Sequence, residues 1–304
     1  MIALAFIAMS LAWSVSWYAM KIQTQSFVSP ELSVFYRFFA AAILMFLLCF
    51  IFKVRTRAKA SEWRYFIIIG FCNFFLNFLI GYFAVRYIAS GVMAVIFSLS
   101  IITSEFFSAI LEKRKIERKV LISSLLGTIG LVFFIAPLVK ISFNHQIIIG
   151  FFLTLLMMII FSFGSALVAK NRKINQTPLY TLIAYCSSIG AGFLLLINLI
   201  RGNEFIFDFS PSYIVSLSYL VLIATVLAFI CLFYLVQTIG STRANYTSLV
   251  YPIIALTISV FLENVALNFL SIVGILFIIA ALLLEFMPRG AFGKLKLNHL
   301  PYRK

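Results

Sequence analysis

The sequence predicts an all-α polytopic membrane protein whose ten transmembrane helices form two inverted five-helix repeats. Three observations predict this fold class. Hydrophobic residues fill 63% of the 304 positions, 11% are charged, and mean hydropathy is +1.11, whereas soluble domains run at roughly 45–50% apolar and about 25% charged. Apolar runs of about 20 residues recur from end to end, each long enough to cross a hydrocarbon core of about 30 Å. Segments 151 residues apart also match in collinear order. The runs are continuous rather than alternating, which excludes a membrane β-barrel.

Runs bounded by charge, Pro or Gly place the elements in order. Span 1 covers 2–20; it has no basic n-region and no small-residue cleavage site before Lys21, so it reads as a span and not a removable signal peptide. Span 2, 33–52, follows Pro30 and stops at Lys53. Span 3, 65–85, lies between Arg64 and Arg86, and span 4, 91–111, ends at Glu112. Span 5, 120–136, runs from Lys119 to Pro137, and span 6, 147–169, closes at Lys170. Span 7, 179–199, starts after Pro178, and span 8, 213–236, after Pro211. Span 9, 244–262, lies between Arg243 and Glu263, and span 10, 269–287, stops before Pro288. The connections are short and hold no soluble domain. The expected units are therefore 1–140, 141–287 and a basic cytoplasmic tail, 288–304.

The net charge of +15 would suggest nucleic acid in a soluble chain. Here the basic residues sit in short loops, as topology signals and contacts for anionic lipid, so no nucleic-acid partner is expected. Loops after even-numbered spans, with the tail, carry 19 Lys and Arg, and loops after odd-numbered spans carry 4; the remaining one is Arg37, inside span 2. The positive-inside rule then puts both termini in the cytoplasm. Cys49, Cys72, Cys186 and Cys231 lie far apart inside apolar runs and read as buried small hydrophobes, with no metal or disulfide spacing.

The repeat aligns Tyr82–Lys113 with Phe233–Asn264: Val85 falls on Val236, Ser90 on Ser241 and Glu112 on Glu263. After a loop four residues shorter, Ser124 and Gly127 fall on Ser271 and Gly274, and upstream Lys21 matches Lys170. Five spans per repeat is an odd number, so the halves lie inversely in the membrane. Inverted repeats supply two nearly equivalent packings around a midplane site, the mechanical requirement for alternating access.

The motifs resemble those of EamA-type transporters of the drug/metabolite transporter superfamily. Trp13-Ser14-Val15-Ser16-Trp17-Tyr18-Ala19-Met20-Lys21 is similar to the family's opening, Pro30-Glu31-Leu32 and Tyr36-Arg37-Phe38 to its approach to span 2, and Leu111-Glu112 and Leu262-Glu263 to its "LxE" helix ends. Pro252 stands at the family's proline in the second half; Ile101 replaces it in the first, and Ser14 replaces the usual Gly. The resemblance covers essentially the whole chain. It implies a ten-helix bundle that moves small metabolites, often amino acids.

Several residues stand out within this frame. Glu105, in span 4, lies seven residues before Glu112, about 10 Å inside that end. A carboxylate there either faces a substrate ammonium or exchanged proton, or makes a structural hydrogen bond or pairs with a nearby basic residue. Span 1 presents Ser10, Ser14, Trp17 and Lys21 on one stripe, with Trp13 beside it at midplane depth; Trp13 is either a cavity wall or core, and Trp17 either cavity wall or interfacial anchor. Asn73 and Asn77 in span 3 share a face and read as interhelical glue or as a polar wall of the pathway, and Asn245, Ser248 and Tyr251 in span 9 present a similar face. Pro252 frees a carbonyl one turn earlier and could bend span 9 for gating. Ser98 completes the candidate substrate contacts, which are Trp13, Ser14, Trp17, Asn73, Asn77, Ser98, Glu105, Asn245 and Tyr251. Lys21, Arg37, Glu112, Lys170 and Glu263 sit near span ends, where they can snorkel to water as anchors or pair as gates; with Pro252 they form the gating or structural group.

No HExxH, GxSxG or phosphate-cradling glycine loop occurs, so neither catalysis nor a cofactor or metal is expected. The expected function is a secondary transporter of a bacterial inner (cytoplasmic) membrane. It would carry a small amphipathic metabolite, an amino acid or relative, by alternating access, with efflux implied by the resemblance and proton coupling suggested by Glu105 alone. The alternatives are an uptake carrier or exchanger for nucleoside-like or sulfonium solutes, or a channel. The sequence does not encode oligomeric state.

Overall fold

Hydrophobic runs of this length must satisfy their backbone groups internally once inside lipid, and a helix does so within each segment. The computed structural model describes residues 1–113, 115–141, 145–170, 177–239 and 247–285. Among these residues all regular structure is helical, in ten helices: α1 (Ile2–Gln23), α2 (Pro30–Ile51), α3 (Ala60–Ala84), α4 (Ser90–Leu111), α5 (Arg118–Ile141), α6 (His145–Lys170), α7 (Leu179–Ile200), α8 (211–239), α9 (Thr247–Leu262) and α10 (Phe269–Glu285). Eight are long and apolar enough to cross a membrane, and the apolar stretches Val250–Leu262 and Phe269–Leu284 are shorter. The chain is a polytopic membrane protein. The expected tail, 288–304, lies outside the described residues.

Local chemistry sets the ends. Ser29 and Ser210 cap α2 and α8, each followed by a proline at the first helical position, where its missing N–H costs nothing. Helix α3 starts five residues earlier than the hydropathy boundary. Glu62 accepts from the Lys59 amide at 2.7 Å and pairs with Arg55 at 2.8 Å, so the helix begins on polar residues.

Two helices depart from α-winding. Gly70–Leu76 in α3 and Leu222–Leu227 in α8 are π-helical, and the second, shifted by 151, falls inside the first. Helix α4 is interrupted by one tight turn at Leu99. Packing follows the same numerical relation. Helix α1 packs on α8 and α9 while α6 packs on α3 and α4, and α2 meets α7, α4 meets α9 and α5 meets α10. Each contact maps onto another, or onto itself, when helix i is exchanged with helix i+5.

Glycines permit the closest of these crossings. A Cβ on Gly274 would stand 2.4 Å from Phe134 N and 2.6 Å from Gly130 O, and one on Gly91 would stand 2.6 Å from Ala255 O. One apolar cluster joins α2, α3, α7 and α8 with Ala19 and Met20 of α1, and a second joins Trp17 of α1 with α4, α5, α6, α9, α10 and Ala84 of α3. Large side chains such as Phe50, Leu125, Phe152, Ile200 and Phe261 point outward, the distribution expected where lipid is the solvent.

Candidate functional site

The two clusters leave a narrow cavity between them. Its walls come from both halves of the chain: Trp13, Ser16, Trp17 and Met20 of α1, Arg37 of α2, Asn77 and Phe78 of α3, Phe97 of α4, Met157 and Phe161 of α6, Phe229 of α8 and Tyr251 of α9. The space open to water is about 40 Å³, against about 300 Å³ or more for a typical ligand pocket. A void of that size is smaller than a metabolite.

Rings built on the α1 stripe dominate the walls. Trp13 lies edge-on to Phe229 at 6.0 Å and to Tyr251 at 6.2 Å, while Trp17 stacks on Tyr251 at 6.5 Å and tilts against Phe97 at 5.3 Å. The Trp13 indole donates to the Ala224 carbonyl at 3.3 Å. That acceptor lies in the π segment of α8, where altered winding loosens carbonyls from the ordinary ladder. Phe78 and Phe229, 151 residues apart, face the cavity from α3 and α8.

Arg37 is the one cation among the cavity's lining residues. It does not snorkel: it lies about two turns into α2 and is 1% exposed. Its Nε donates to Thr225 Oγ1 at 2.9 Å, and its guanidinium lies 4.4 Å from the centre of the Phe78 ring and 5.3 Å from that of Phe38. No carboxylate among the described residues pairs with it. Its Nη1 has no hydrogen-bond partner, and neither do two other polar atoms of the lining, Trp17 Nε1 and Asn77 Oδ1. A charge at mid-span costs about 2.5–3.5 kcal/mol on insertion scales, and buried polar atoms are ordinarily paired.

The other expected contacts lie elsewhere. Ser14 Oγ donates to Ser10 O at 2.6 Å and Ser98 Oγ to Val95 O at 2.6 Å, both within their own helices. Asn73 Nδ2 donates to Ser165 Oγ at 3.2 Å, and its carbonyl fills the space where Gly164 lacks a side chain: a Cβ there would stand 1.7 Å from Asn73 Oδ1. Glu105 is half-buried on α4, outside the cavity. Asn245 and the Lys170 side chain lie outside the described residues. Among the cavity residues, Trp13, Trp17, Asn77 and Tyr251 are expected from the sequence. Ser16, Met20, Phe78, Phe97, Met157, Phe161 and Phe229 are not, although the 151-residue spacing of Phe78 and Phe229 is a readable signal.

Polar contacts tie the helix ends. Lys21 Nζ donates to Val85 O at 2.7 Å, and Tyr82 donates to Gln23 Oε1 at 2.8 Å. Glu263 accepts from the Ser90 amide at 2.9 Å, from Ser259 Oγ at 3.1 Å and from Ser90 Oγ, so the end of α9 caps the start of α4. Glu112 lies exposed at the C-terminal end of α4, and Pro252 is buried inside α9. Arg201 pairs with Glu31 where α7 ends and α2 begins, each charge complementing its helix dipole. Asp208 accepts from Ser26 Oγ at 2.7 Å and from the Ser210 amide at 2.8 Å, which holds its carboxyl below the usual aspartate range and joins the 203–210 loop to the α1–α2 loop.

Comparisons with known proteins agree with this architecture. A family model described as the EamA-like transporter family matches residues 1–136 and 148–287. An uncharacterized transporter of Buchnera aphidicola subsp. Schizaphis graminum (strain Sg) is 26% identical over 260 residues, covering 84% of this chain and 83% of that protein. An uncharacterized transporter in the trpA 3'region of Buchnera aphidicola subsp. Schlechtendalia chinensis is 25% identical over 293 residues, covering 94% and 93%. A third, from Archaeoglobus fulgidus, is 24% identical over 280 residues, covering 90% and 93%. A solved structure described only as the crystal structure of a protein superposes with TM-score 0.66 at 14% identity, covering 93% of this chain and 95% of its own; it bears on the fold alone.

Proposed function

Because the chain belongs to the EamA-like transporter family, within the drug/metabolite transporter superfamily, we propose that it carries a small amphipathic metabolite, an amino acid or relative, by alternating access through the aromatic cavity. The observation that carries this reading is the cavity's position, walled by helices of both halves whose contacts interchange under the exchange of i with i+5. Two units related in this way, 1–140 and 141–287, form inverted repeats, because each has five spans. Such a pair has two packings of similar energy, and exchanging them opens the site to one side and then the other. The tightness of the cavity supports a carrier over a channel, since a standing pore needs no rearrangement. Aromatic walls with a single charge support an amphipathic solute over a polyanion.

The Lys and Arg asymmetry supports termini in the cytoplasm, the bacterial relatives support a bacterial inner membrane, and the family resemblance supports export. Proton coupling would run through Glu105. A pH gradient should then drive uptake in wild type and fail to do so in Glu105→Gln; equal driven uptake by both would remove that residue from the coupling. The test of the main reading is counterflow. Proteoliposomes loaded with unlabelled amino acids should transiently concentrate a labelled one above equilibrium, and protein-free vesicles should not. Absence of counterflow for every amino acid, with folded protein, overturns the substrate class.

A further inference from the structure

We propose that Arg37 is the anion-recognition group of this cavity and that its ligand is a monocarboxylate, paired through the unpartnered Nη1 and offering an N–H donor to Asn77 Oδ1. The inference rests on the carrier reading for the cavity but concerns what the cavity binds.

The Arg37 guanidinium is buried in a site that supplies it the hydroxyls of Thr225 and Tyr82 and two aromatic faces but no carboxylate among the described residues. Aromatic faces offset a cation only in part, and a buried charge without a counter-ion is costly. The planar fork is built for bidentate carboxylate pairing. Nε is already held by Thr225, which fixes the plane of the group and leaves Nη1 unpartnered and buried at the cavity wall.

Stoichiometry narrows the class. One cation lines the cavity, enough for one carboxylate. A phosphate monoester, carrying nearly two charges at neutral pH, would keep an unneutralised charge in a low-dielectric site. The second unpartnered group of opposite polarity is the Asn77 carbonyl oxygen. It accepts, so it calls for an N–H or O–H on the ligand, and an amide suits an ammonium without demanding one. Apart from Ser16, whose hydroxyl is bonded to Trp13 O, the rest of the wall is aromatic and thioether side chains, which fits an apolar or aromatic body.

Other features carry less. A roomier hollow of about 610 Å³ among α4, α5 and α6 is lined by apolar groups with three hydroxyls, Thr103, Ser124 and Thr128, and has no charge to select a ligand. The hollow beside Glu263 contains a carboxylate already engaged in capping α4.

The experiment uses purified full-length protein and a matched probe series: L-phenylalanine, 3-phenylpropionate, phenylalaninamide, phenethylamine and phenyl phosphate. Two of the three tryptophans are Trp13 and Trp17 in the cavity wall, so intrinsic fluorescence reports binding independently of transport. Phenylalanine should bind best and 3-phenylpropionate next. The amide, the amine and the phosphate should each be weaker by about tenfold or more, the cost of losing a charge-assisted pair or leaving a charge unpaired. Arg37→Lys should weaken carboxylate binding about 10- to 100-fold, and Arg37→Gln should abolish the preference for carboxylate over amide.

Equal binding of amide and carboxylate by wild type overturns the proposal with no variant needed. So does the failure of both carboxylates to bind protein that unfolds cooperatively. Arg37-dependent carboxylate binding without counterflow would retain this inference and reject the carrier. Counterflow of amines or neutral solutes, with no carboxylate binding, would do the reverse.

Discussion

Thr225 on α8 accepts a hydrogen bond from Nε of Arg37 on α2 at 2.9 Å while its own hydroxyl donates to Leu220 O at 2.7 Å. In an α-helix a threonine bonds back to the carbonyl four residues earlier; here the partner is five residues earlier, the π register. The winding of Leu222–Leu227 thus turns the oxygen of Thr225 toward the buried cation. The same segment offers Ala224 O to Trp13, so one local distortion orients both a cavity ring and the cavity charge.

Thr225→Val keeps the shape and removes the acceptor. Leaving Nε of a buried guanidinium unpaired should cost about 1–3 kcal/mol, read as a lower Tm in detergent. Thr225→Ser, which retains the oxygen, should recover most of the loss. A valine variant as stable as wild type would show that this bond contributes nothing.

The close crossings predict a contrast among glycines. A methyl group on Gly274 or Gly91 meets backbone atoms at 2.4–2.6 Å that cannot turn aside. Gly274→Ala and Gly91→Ala should each destabilise the protein by about 1–3 kcal/mol through helix separation. A methyl group on Gly192 in α7 would have nothing within 4 Å, so Gly192→Ala should be neutral or slightly stabilising, by up to about 1 kcal/mol. Thermal unfolding of the three variants side by side checks the ordering.

Glu263 caps α4 from the end of α9. Glu263→Ala should remove about 0.5–2 kcal/mol of stability by exposing the Ser90 amide and losing the favourable charge at that helix start. Glu263→Gln retains an acceptor and should fall between. Hydrogen exchange at the first turn of α4 should rise in the same order.

Asp208 supplies a pH dependence. Its carboxyl is held low by the Ser26 hydroxyl and then by the Ser210 amide. A depressed folded-state pKa means the stabilisation is fully present above the unfolded aspartate value of about 3.9 and is lost as pH falls through the lower folded value. Asp208→Asn should therefore lower Tm at neutral pH, and the gap from wild type should close as both are acidified below about pH 4. A gap constant across that range would contradict the role assigned to the charge.

Much of this molecule is legible one residue at a time. Hydropathy alone marks the ten apolar runs that become the ten helices, because each run must independently satisfy its backbone polar groups. The start of α3 departs from its hydropathy boundary by five residues only because Lys59, Glu62 and Arg55 close a polar cap that hydropathy does not register. Within the cavity, Trp13 and Trp17 are conspicuous as rings on a polar stripe, and Asn77 as an amide in an apolar run. Arg37 reads in the sequence as a snorkelling anchor, since its distance from the span end allows it. Its burial depends on α3 and α8 covering it, and Phe78 and Thr225 lie 41 and 188 residues away in the chain.

The class of solvent, the succession of apolar runs and the charge asymmetry can all be read from the chain, because each is a sum over neighbouring residues. Which polar groups meet, which stay unpartnered and how narrow the cavity is are properties of the folded bundle. They come from pairs of helices approaching at glycines and from π-wound turns that redirect single atoms, and such distances between remote residues have no local signature in the chain.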